Sequence, residues 1–389
     1  MESFDLVFPT HIHFGADVVD QIGATARTLG ERVLVLHGSF ALSSGLFARI
    51  AGQLEESGCH VITGSPVTAN PAYDEVVSLA REVKGKDANW ILAVGGGSVI
   101  DTAKTLAGLL LADDELEFWE DHFLSYQSIE RALPIVAVPT IPASGSETSE
   151  SAVISDPETG QKRIASGPAL VPVHAFLDPT LTLSLSRYQT ACGLSDMLSH
   201  LNERYFSPVE DTHLSDQLLE GVMRFVIDAG PSVLADPHSL ALRSEIMWAG
   251  TLAHSTLLDR GRGGGDWACH MIEHALSAVS DVAHGAGLAI ITPAWLRFIG
   301  PFHPDHISAY AQRVWRIPSS SPDTELEAVV GALSSWYRNL GLPTRLSEIG
   351  IERTQLRDIA SLACPGPYPI GSLHPLASPQ VEEILHIAF

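Results

Sequence analysis

The 389-residue sequence predicts an α/β domain at residues 1–185, followed by an all-helical domain at residues 186–389. In the first part, apolar runs such as RVLVLHG (32–38) alternate with helical patterns, and the runs lack the polar alternation of half-exposed strands. This alternation predicts a parallel sheet with helices on both faces. After FLDPTLTLSLS (176–186), strand patterns nearly vanish and long helical patterns follow. A domain boundary is therefore expected near residue 185.

The predicted elements follow one another at the spacing of strand–helix units. The expected strands are 32–38, 60–66, 89–94 and 132–140, and the helices between them are 41–57, 73–85 and 99–112. In the C-terminal part, helices are expected at about 187–206, 212–229, 239–258, 266–280 and 324–341. Pro- and Gly-bearing breaks are expected at DAGPS (228–232) and IGPFHPD (299–305).

Composition excludes several classes of protein. A formal net charge of −23 disfavours binding to nucleic acid or to an anionic membrane, and it leaves few cations for a phosphate site. No apolar run is long enough for a signal peptide or a membrane span, so a cytoplasmic location is expected. The cysteines are scattered without a Cys-x2-Cys pair, which disfavours disulfides and a zinc ribbon. They are Cys59, Cys192, Cys269 and Cys364.

Two loops at the ends of predicted strands have the composition of a phosphate site. GGGSVIDTAK (95–104) joins a strand to a helix, where glycines permit close approach of a ligand and the helix N-terminus offers free N–H groups. Ser98 is expected to cap this helix and to donate to a phosphate oxygen. The second loop, PTIPASGSETSESAV (139–153), follows the next strand and is rich in small hydroxyl residues. It fits a cofactor site and an ordinary surface loop equally well.

Histidines and one aspartate are spaced for a metal site. In GLSDMLSHLNERYF (193–206), Asp196 and His200 are four residues apart and share one face of a helix. His270 and His274 form a matching pair, and His284 follows near an expected helix break at Gly285. Chance remains a competitor, since 17 histidines in 389 positions give roughly 0.7 such pairs at random. Spacing alone does not select which histidines bind a metal.

Five stretches together resemble the iron-containing (group III) alcohol dehydrogenases, most closely the branch of NADPH-dependent aldehyde reductases and butanol dehydrogenases. They are GGGSVIDTAK, VPTIPASGSETSESAVI, FLDP, GLSDMLSHLNE and DWACHMIEHALSAVSDVAHGAGLAIITPAW. The resemblance covers essentially the whole length. It implies a dehydroquinate-synthase-like architecture, in which a Rossmann-like parallel-sheet domain precedes an all-helical domain.

The resemblance implies a role for individual residues. Asp196, His200, His270 and His284 match the family's four ligands of a divalent metal, either Fe²⁺ or Zn²⁺. His274 matches an active-site histidine outside the first coordination shell. The matched cofactor-binding positions are Gly38, Ser39, Asn70, Gly96, Gly97, Ser98, Asp101, Thr140, Ser149 and Lys162.

The end of the strand at 32–38 bears on the choice of cofactor. Family members that use NAD tend to carry an aspartate here, which accepts hydrogen bonds from the ribose and repels a 2′-phosphate. This chain has Gly38 and then Ser39, which favours NADP(H). No Lys or Arg follows within FALSSG (40–45), so dual specificity stays open.

The resemblance implies reversible hydride transfer between NADP(H) and an aldehyde or primary alcohol. A homodimer is also expected at the level of the family. Three alternatives stay open: a reductase of a polyol or oxo-acid, an NAD-dependent lyase of the dehydroquinate-synthase type, and a non-catalytic metal-binding role. The lyase would need a cluster of basic residues, and the helical half is poor in them. The role of CPGPYPIGSLHPLA (364–377) is not evident from the sequence.

Overall fold

The computed structural model describes all 389 residues and contains eight strands and fifteen α-helices. The strands are β1 (His11–Phe14), β2 (Arg32–His37), β3 (His60–Thr63), β4 (Trp90–Gly95), β5 (Ile135–Pro139), β6 (Ser151–Ser155), β7 (Lys162–Ser166) and β8 (His174–Leu177). The helices are α1 (Ile22–Leu29), α2 (Ser39–Ser43), α3 (Leu46–Glu56), α4 (Tyr73–Val83), α5 (Gly97–Leu109), α6 (Glu115–Trp119), α7 (Arg187–Tyr205), α8 (His213–Ala235), α9 (Leu240–His254), α10 (Ala268–Ser280), α11 (His284–Ile299), α12 (Pro304–Arg313), α13 (Pro322–Leu340), α14 (Leu356–Ala363) and α15 (Ser378–Ala388).

Contacts divide the chain into two compact units, each made of separate segments. The sheet unit comprises 7–184 and 238–254, and the helical unit comprises 1–6, 185–237 and 255–389. These units differ from the two continuous domains of the sequence analysis, because α9 packs with the sheet and the first six residues belong to the helical unit. No sequence pattern marks α9 as different from its helical neighbours, so its placement depends on tertiary packing.

The sheet unit is built on a six-stranded sheet in the order β1-β8-β5-β4-β2-β3. All of its pairings are parallel, as the apolar runs predict, whereas the strand order was not predicted. Successive residues of β2 point to opposite faces: Val33 and Val35 join one apolar cluster, whereas Leu34 and Leu36 join the other. Burial on both faces explains why the four residues between Arg32 and His37 are all apolar. The carboxyl ends of β2, β4 and β5 therefore meet at one edge of the sheet.

Two parts of the sheet unit differ from the prediction. The helix expected at 41–57 is divided into α2 and α3 by Gly45, whose φ of 79° lies in the left-handed region. The strands β1 and β8 and the antiparallel pair β6–β7 were not predicted. Their sequences, such as HIHF in β1, contain too few consecutive apolar residues to give a strand pattern.

The helices predicted in the C-terminal part correspond to α7, α8, α9, α10 and α13, whereas α11, α12, α14 and α15 were not predicted. Helix α8 is longer than predicted. The helix continues through Pro231, where the sequence predicts a break at DAGPS. Proline lacks the N–H that would donate to the carbonyl of Ile227. Trp336 Nε1 donates to that carbonyl instead, at 3.0 Å, so the buried oxygen keeps a partner and the helix continues.

Helix α11 is the most apolar helix of its unit. Together with the turn that follows, His284–Phe302 is long and apolar enough to cross a membrane, but 78% of its apolar window is buried inside the fold. A helix buried to this extent belongs to the core of the fold. The expected break at Gly285 is wrong: α10 ends at Ser280, and Gly285 is the second residue of α11. A Cβ at Gly285 would lie 2.1 Å from the carbonyl oxygen of Cys192 on α7.

We expect Gly285→Ala to lower the free energy of unfolding by about 1–3 kcal/mol, since the added methyl group collides with the backbone of α7. The matched control is Gly331→Ala in α13, where an added Cβ meets nothing within 4 Å. That change should raise stability by about 0.5–1 kcal/mol, because alanine loses less entropy than glycine in a helix. Urea unfolding measures both values, and equal midpoints for the two variants would contradict the close approach of α11 to α7.

Candidate metal centre and cofactor loops

Asp196 and His200 lie one turn apart on α7 in the helical unit, and both side chains are buried. The helix begins at Ser186, whose Oγ accepts from the N–H of Gln189 at 3.1 Å in a capping box. This cap fixes the residue at which α7 begins. Asp196 and His200, four residues apart, then lie on the same face of the helix. His200 Nε2 lies 3.6 Å from Asp196 Oδ1. This distance is too long for a hydrogen bond.

Glu203, one turn beyond His200, fixes the orientation of His270. Its Oε2 accepts from His270 Nδ1 at 2.6 Å, which leaves Nε2 to face Asp196. Its Oε1 accepts from the backbone N–H groups of Cys269 and His270 in the first turn of α10. One buried carboxylate thus joins α7 to α10 and sets the direction of the imidazole.

Glu273 does the same for His284. It lies on α10, fully buried, and its Oε2 accepts from His284 Nδ1 at the start of α11. Its other oxygen accepts from Ser277 Oγ. A Cβ at Gly287 would lie 2.7 Å from Glu273 Oε1, so a larger residue in α11 would displace the carboxylate. Sequence analysis assigned no role to Glu203 or Glu273, although a buried acid within an otherwise apolar helix face is a usable signal.

The resulting cluster fits a divalent cation. The Nε2 atoms of His200, His270 and His284 lie 3.6, 3.7 and 3.6 Å from Asp196 Oδ1. Two ligands bound at about 2.0–2.2 Å to a tetrahedral cation are separated by roughly 3.3–3.6 Å, so a shared ion needs only small shifts. Asp196 Oδ1 and His270 Nε2 are buried without a hydrogen-bond partner. The ligand atoms of Asp196, His270 and His284 all lie within 4.8 Å of one another.

The electrostatics of the cluster also favour a cation. Burial by itself lowers the pKa of His270, but the charges of Glu203 and Asp196 outweigh it and raise the pKa to about 10. The buried carboxylates that raise this pKa therefore stabilise positive charge at this place. A divalent cation supplies such charge and displaces the proton.

His274 lies beside the cluster, on the same helix as His270. Its ring centroid is 5.5 Å from that of His284 and 6.4 Å from that of His270, and the side chain is buried. One of its ring nitrogens lies within 4.8 Å of ligand atoms of Glu273 and His284. The structure therefore brings together all five residues that the sequence analysis selected in this part of the chain.

Asp266 orders the segment 364–377, whose role was not evident from the sequence. Its carboxylate accepts from the N–H groups of Ser372 at 2.9 Å and Leu373 at 2.8 Å, and also from Ala268 at 3.1 Å at the start of α10. Burial and the nearby charge of Glu203 raise the pKa of Asp266 to about 6. The Pro- and Gly-rich segment is thus held against the helix that carries His270 and His274.

The glycine loop of the sheet unit lies between β4 and α5. Gly96 is the N-cap of α5 and no side chain caps the helix, so the expected cap by Ser98 is wrong. Instead, Ser98 Oγ accepts from the N–H of Asn70 at 3.4 Å. A Cβ at Gly95 would lie 2.4 Å from Val99, and one at Gly97 would lie 2.8 Å from Ser144 Oγ. Two of the three glycines are therefore required by packing within the protein itself.

Lys104 fastens the second loop to α5. Its side chain is completely buried, and Nζ donates to the carbonyl oxygens of Ser149 and Ser151, each at 2.8 Å, and to Ser149 Oγ at 3.1 Å. Burial lowers its pKa to about 8, against the opposing charges of Asp101, Glu147 and Glu150. This role of Lys104 was not predicted, because a lysine within a helical pattern is usually exposed.

Asp101 and Glu147 complete this buried network. Asp101 accepts from Ser146 Oγ at 2.6 Å and from the N–H of Val153 at 3.1 Å. Glu147 accepts from Thr251 Oγ1 on α9 at 2.6 Å. Burial raises the pKa of both carboxyl groups. The loop 139–153 is therefore an ordered part of the sheet unit and not an independent surface loop.

Two of the other predicted cofactor residues lie at the carboxyl ends of parallel strands. Gly38 and Thr140 follow β2 and β5, and their N–H groups donate to Val94 and Gly95 at the end of β4. Lys162 on β7 pairs with Ser155, whose hydroxyl donates to the carbonyl of Asn70 at 3.5 Å. Ser39 begins α2 directly after Gly38. Ser149 differs from the rest, because its hydroxyl is buried against Lys104.

Comparison with known proteins supports one family over both halves of the chain. A family model described as iron-containing alcohol dehydrogenase matches residues 9–179. A second, described as the C-terminal part of the Fe-containing alcohol dehydrogenase family, matches residues 190–389.

Individual relatives match along their whole length. NADH-dependent butanol dehydrogenase A of Clostridium acetobutylicum is 34% identical over 99% of both chains. The NADPH-dependent aldehyde reductase YqhD of Escherichia coli is 32% identical over 92% of this chain and 91% of its own. Among solved structures, NADH-dependent butanol dehydrogenase A of Thermotoga maritima has a TM-score of 0.94 at 31% identity, covering 100% of this chain and 99% of its own.

We expect Glu203→Gln to weaken binding of Zn²⁺ by about 10- to 100-fold, because an amide in place of the carboxylate no longer aligns His270. Competition with a chromogenic chelator on the metal-depleted protein measures the affinity. The control is Glu327→Gln, which removes the same charge from an exposed pair with Arg297. An affinity equal to that of the control would contradict the role of Glu203.

Proposed function

Since the chain belongs to the iron-containing alcohol dehydrogenase family, we propose that it reduces aldehydes to primary alcohols with NADPH and catalyses the reverse oxidation with NADP⁺. Family membership makes it an NAD(P)-dependent alcohol dehydrogenase or aldehyde reductase that uses a divalent metal. The preference for NADP(H) and the choice of residues are parts of the proposal. The observation that supports it most is the approach of three imidazole Nε2 atoms to one buried oxygen of Asp196.

The proposed metal-binding residues are Asp196, His200, His270 and His284. They offer one oxygen and three neutral nitrogens, a donor set that suits Fe²⁺ and Zn²⁺. When bound, the cation supplies a Lewis acid for the substrate oxygen, and the nicotinamide supplies or accepts the hydride. Glu203 and Glu273 accept hydrogen bonds from Nδ1 of His270 and His284. They favour the tautomer in which Nδ1 carries the proton, so that Nε2 can bind the metal.

His274 is the proposed proton carrier. Its imidazole lies next to the cluster, and a histidine ring nitrogen can both donate and accept a proton in general acid–base catalysis. The burial of the surrounding residues excludes bulk water and strengthens each electrostatic contact.

The sheet unit is proposed to hold the dinucleotide at the carboxyl ends of β2, β4 and β5. Gly96, Gly97 and Ser98 present free N–H groups at the start of α5 to the pyrophosphate, and Asp101 holds the second loop in place. Lys162 supplies a cation near this edge in an acidic chain. Asn70, Thr140 and Ser149 complete the proposed set, the last through its contact with Lys104.

The preference for NADP(H) rests on Gly38 and Ser39. At this position a carboxylate would repel a 2′-phosphate, and the chain has none. The relatives include NADH-dependent as well as NADPH-dependent enzymes, so they favour neither cofactor. The proposed preference is supported only by the residues at the end of β2. A cytoplasmic location and a homodimer belong to the proposal at the level of the family.

The proposed function is tested by adding Fe²⁺ or Zn²⁺ to the metal-depleted protein and screening aldehydes of graded length and charge with NADPH and NADH. We expect oxidation of NADPH that depends on the added metal and exceeds that of NADH. The control is His270→Ala, which should lose both bound metal and turnover. No turnover of any aldehyde, or full activity of His270→Ala, would refute the assignment.

We expect His274→Gln to lower kcat by roughly 10²-fold or more while the metal content stays that of the unchanged protein, because a positioned acid–base group is lost and no ligand is removed. Metal analysis and steady-state rates on the same sample separate the two effects. A loss of metal in this variant would show that His274 is a ligand and not a proton carrier.

Gly38→Asp should shift the ratio of kcat/KM for NADPH to that for NADH toward NADH by roughly tenfold or more, since a carboxylate repels the 2′-phosphate. The site accepts a side chain: φ is −86°, and a Cβ would lie 3.5 Å from Val99, an ordinary contact. The control is Gly52→Asp on α3, which adds the same charge at a place where a Cβ meets nothing within 4 Å. The same ratio in both variants would place the 2′-phosphate elsewhere.

A further inference from the structure

A second group of histidines lies at the edge of the sheet unit, on strands that carry none of the residues discussed so far. His11 and His13 are on β1, and His174 is on the neighbouring strand β8. Residues two apart on a strand point to the same face. His11 is also the direct partner of His174 in the parallel register, so all three imidazoles lie on one face.

The imidazoles are close enough to share an ion. One ring nitrogen from each lies within 4.8 Å of those of the other two. His13 Nε2 and His174 Nδ1 are 3.1 Å apart and form a hydrogen bond, which a shared ion would replace. Two nitrogens bound to a tetrahedral Zn²⁺ at about 2.0–2.1 Å are separated by roughly 3.3–3.4 Å, so this pair is already spaced almost as ligands are.

The position of His13 is fixed by stacking. Its ring lies parallel to that of Phe176, with 4.2 Å between centroids and 3° between planes, and Phe176 is completely buried. On its other side the ring of His11 stacks at 4.4 Å and 9°. His11 is exposed, so an ion reaches the cluster from solvent and the outer ring can turn toward it.

We propose that His11, His13 and His174 form a second metal-binding site, specific for a divalent transition-metal ion such as Zn²⁺, Ni²⁺ or Cu²⁺. The cluster contains three imidazoles and no carboxylate, which suits these ions and excludes Mg²⁺ and Ca²⁺. Water occupies the remaining coordination positions of the exposed site. The bound ion links the edge strand β1 to β8 and stabilises this end of the sheet through its preference for the folded state.

The test is equilibrium dialysis of the full chain against micromolar Zn²⁺, followed by measurement of metal per chain. In the His270→Ala background, where the proposed catalytic ion is lost, we expect one ion to remain bound. Adding His13→Ala should remove it, and His11→Ala, on an exposed side chain whose loss does not threaten folding, should weaken its binding. Cu²⁺ bound in the same background should show hyperfine coupling to nitrogen in its paramagnetic resonance spectrum.

The matched control is His60→Ala, which removes an exposed histidine from β3 at the opposite edge of the same sheet. It should leave the remaining ion in place. His13→Ala alone should retain aldehyde reduction, so failure of this proposal and failure of the proposed function give different results. Equal metal content in His270→Ala with and without His13→Ala would overturn the proposal.

Discussion

Two buried carboxylates determine the geometry of the helical unit's polar centre. Glu203 and Glu273 each accept a hydrogen bond from the Nδ1 of an imidazole and so direct the opposite nitrogen toward Asp196. Each also joins two helices: α7 to α10 in one case, α10 to α11 in the other. Burial of several negative groups in a small volume is costly unless positive charge lies among them. The observed packing of these helices leaves a place for a cation among the carboxylates.

A buried charge also orders part of the sheet unit, but there the charge is positive. There a buried ammonium group, that of Lys104, organises carbonyl oxygens of the second loop, while Asp101 and Glu147 balance its charge. Burial lowers its pKa and raises those of the carboxyl groups, so the network depends on every member keeping its partners. The result is a rigid loop beside the N-terminus of α5, where a dinucleotide's phosphates are proposed to bind.

Glycines in both units serve the packing of protein against protein. Gly95 and Gly97 allow Val99 and Ser144 to approach the backbone of the glycine loop, and Gly285 and Gly287 allow α11 to approach α7 and Glu273. A glycine-rich stretch beside a helix N-terminus indicates a phosphate site from the sequence. In this protein the same residues also fix the loop itself, so the two explanations are not alternatives. Of the three glycines at 95–97, only Gly96 has room for a side chain without close contact.

The sequence alone determined the fold class, the four predicted strands of the sheet and most helices, because apolar periodicity reports which faces are buried. Motif order over the whole chain indicated the family, and that resemblance assigned roles to Asp196, His200, His270, His274 and His284. Spacing on helices by itself left open which histidines bind a metal. Only the tertiary structure decided which segments share a unit, that α8 continues through Pro231, and that Glu203, Glu273 and Lys104 hold the candidate sites. These contacts join residues distant in sequence, as do the imidazoles of β1 and β8, and local periodicity carries no information about such partners.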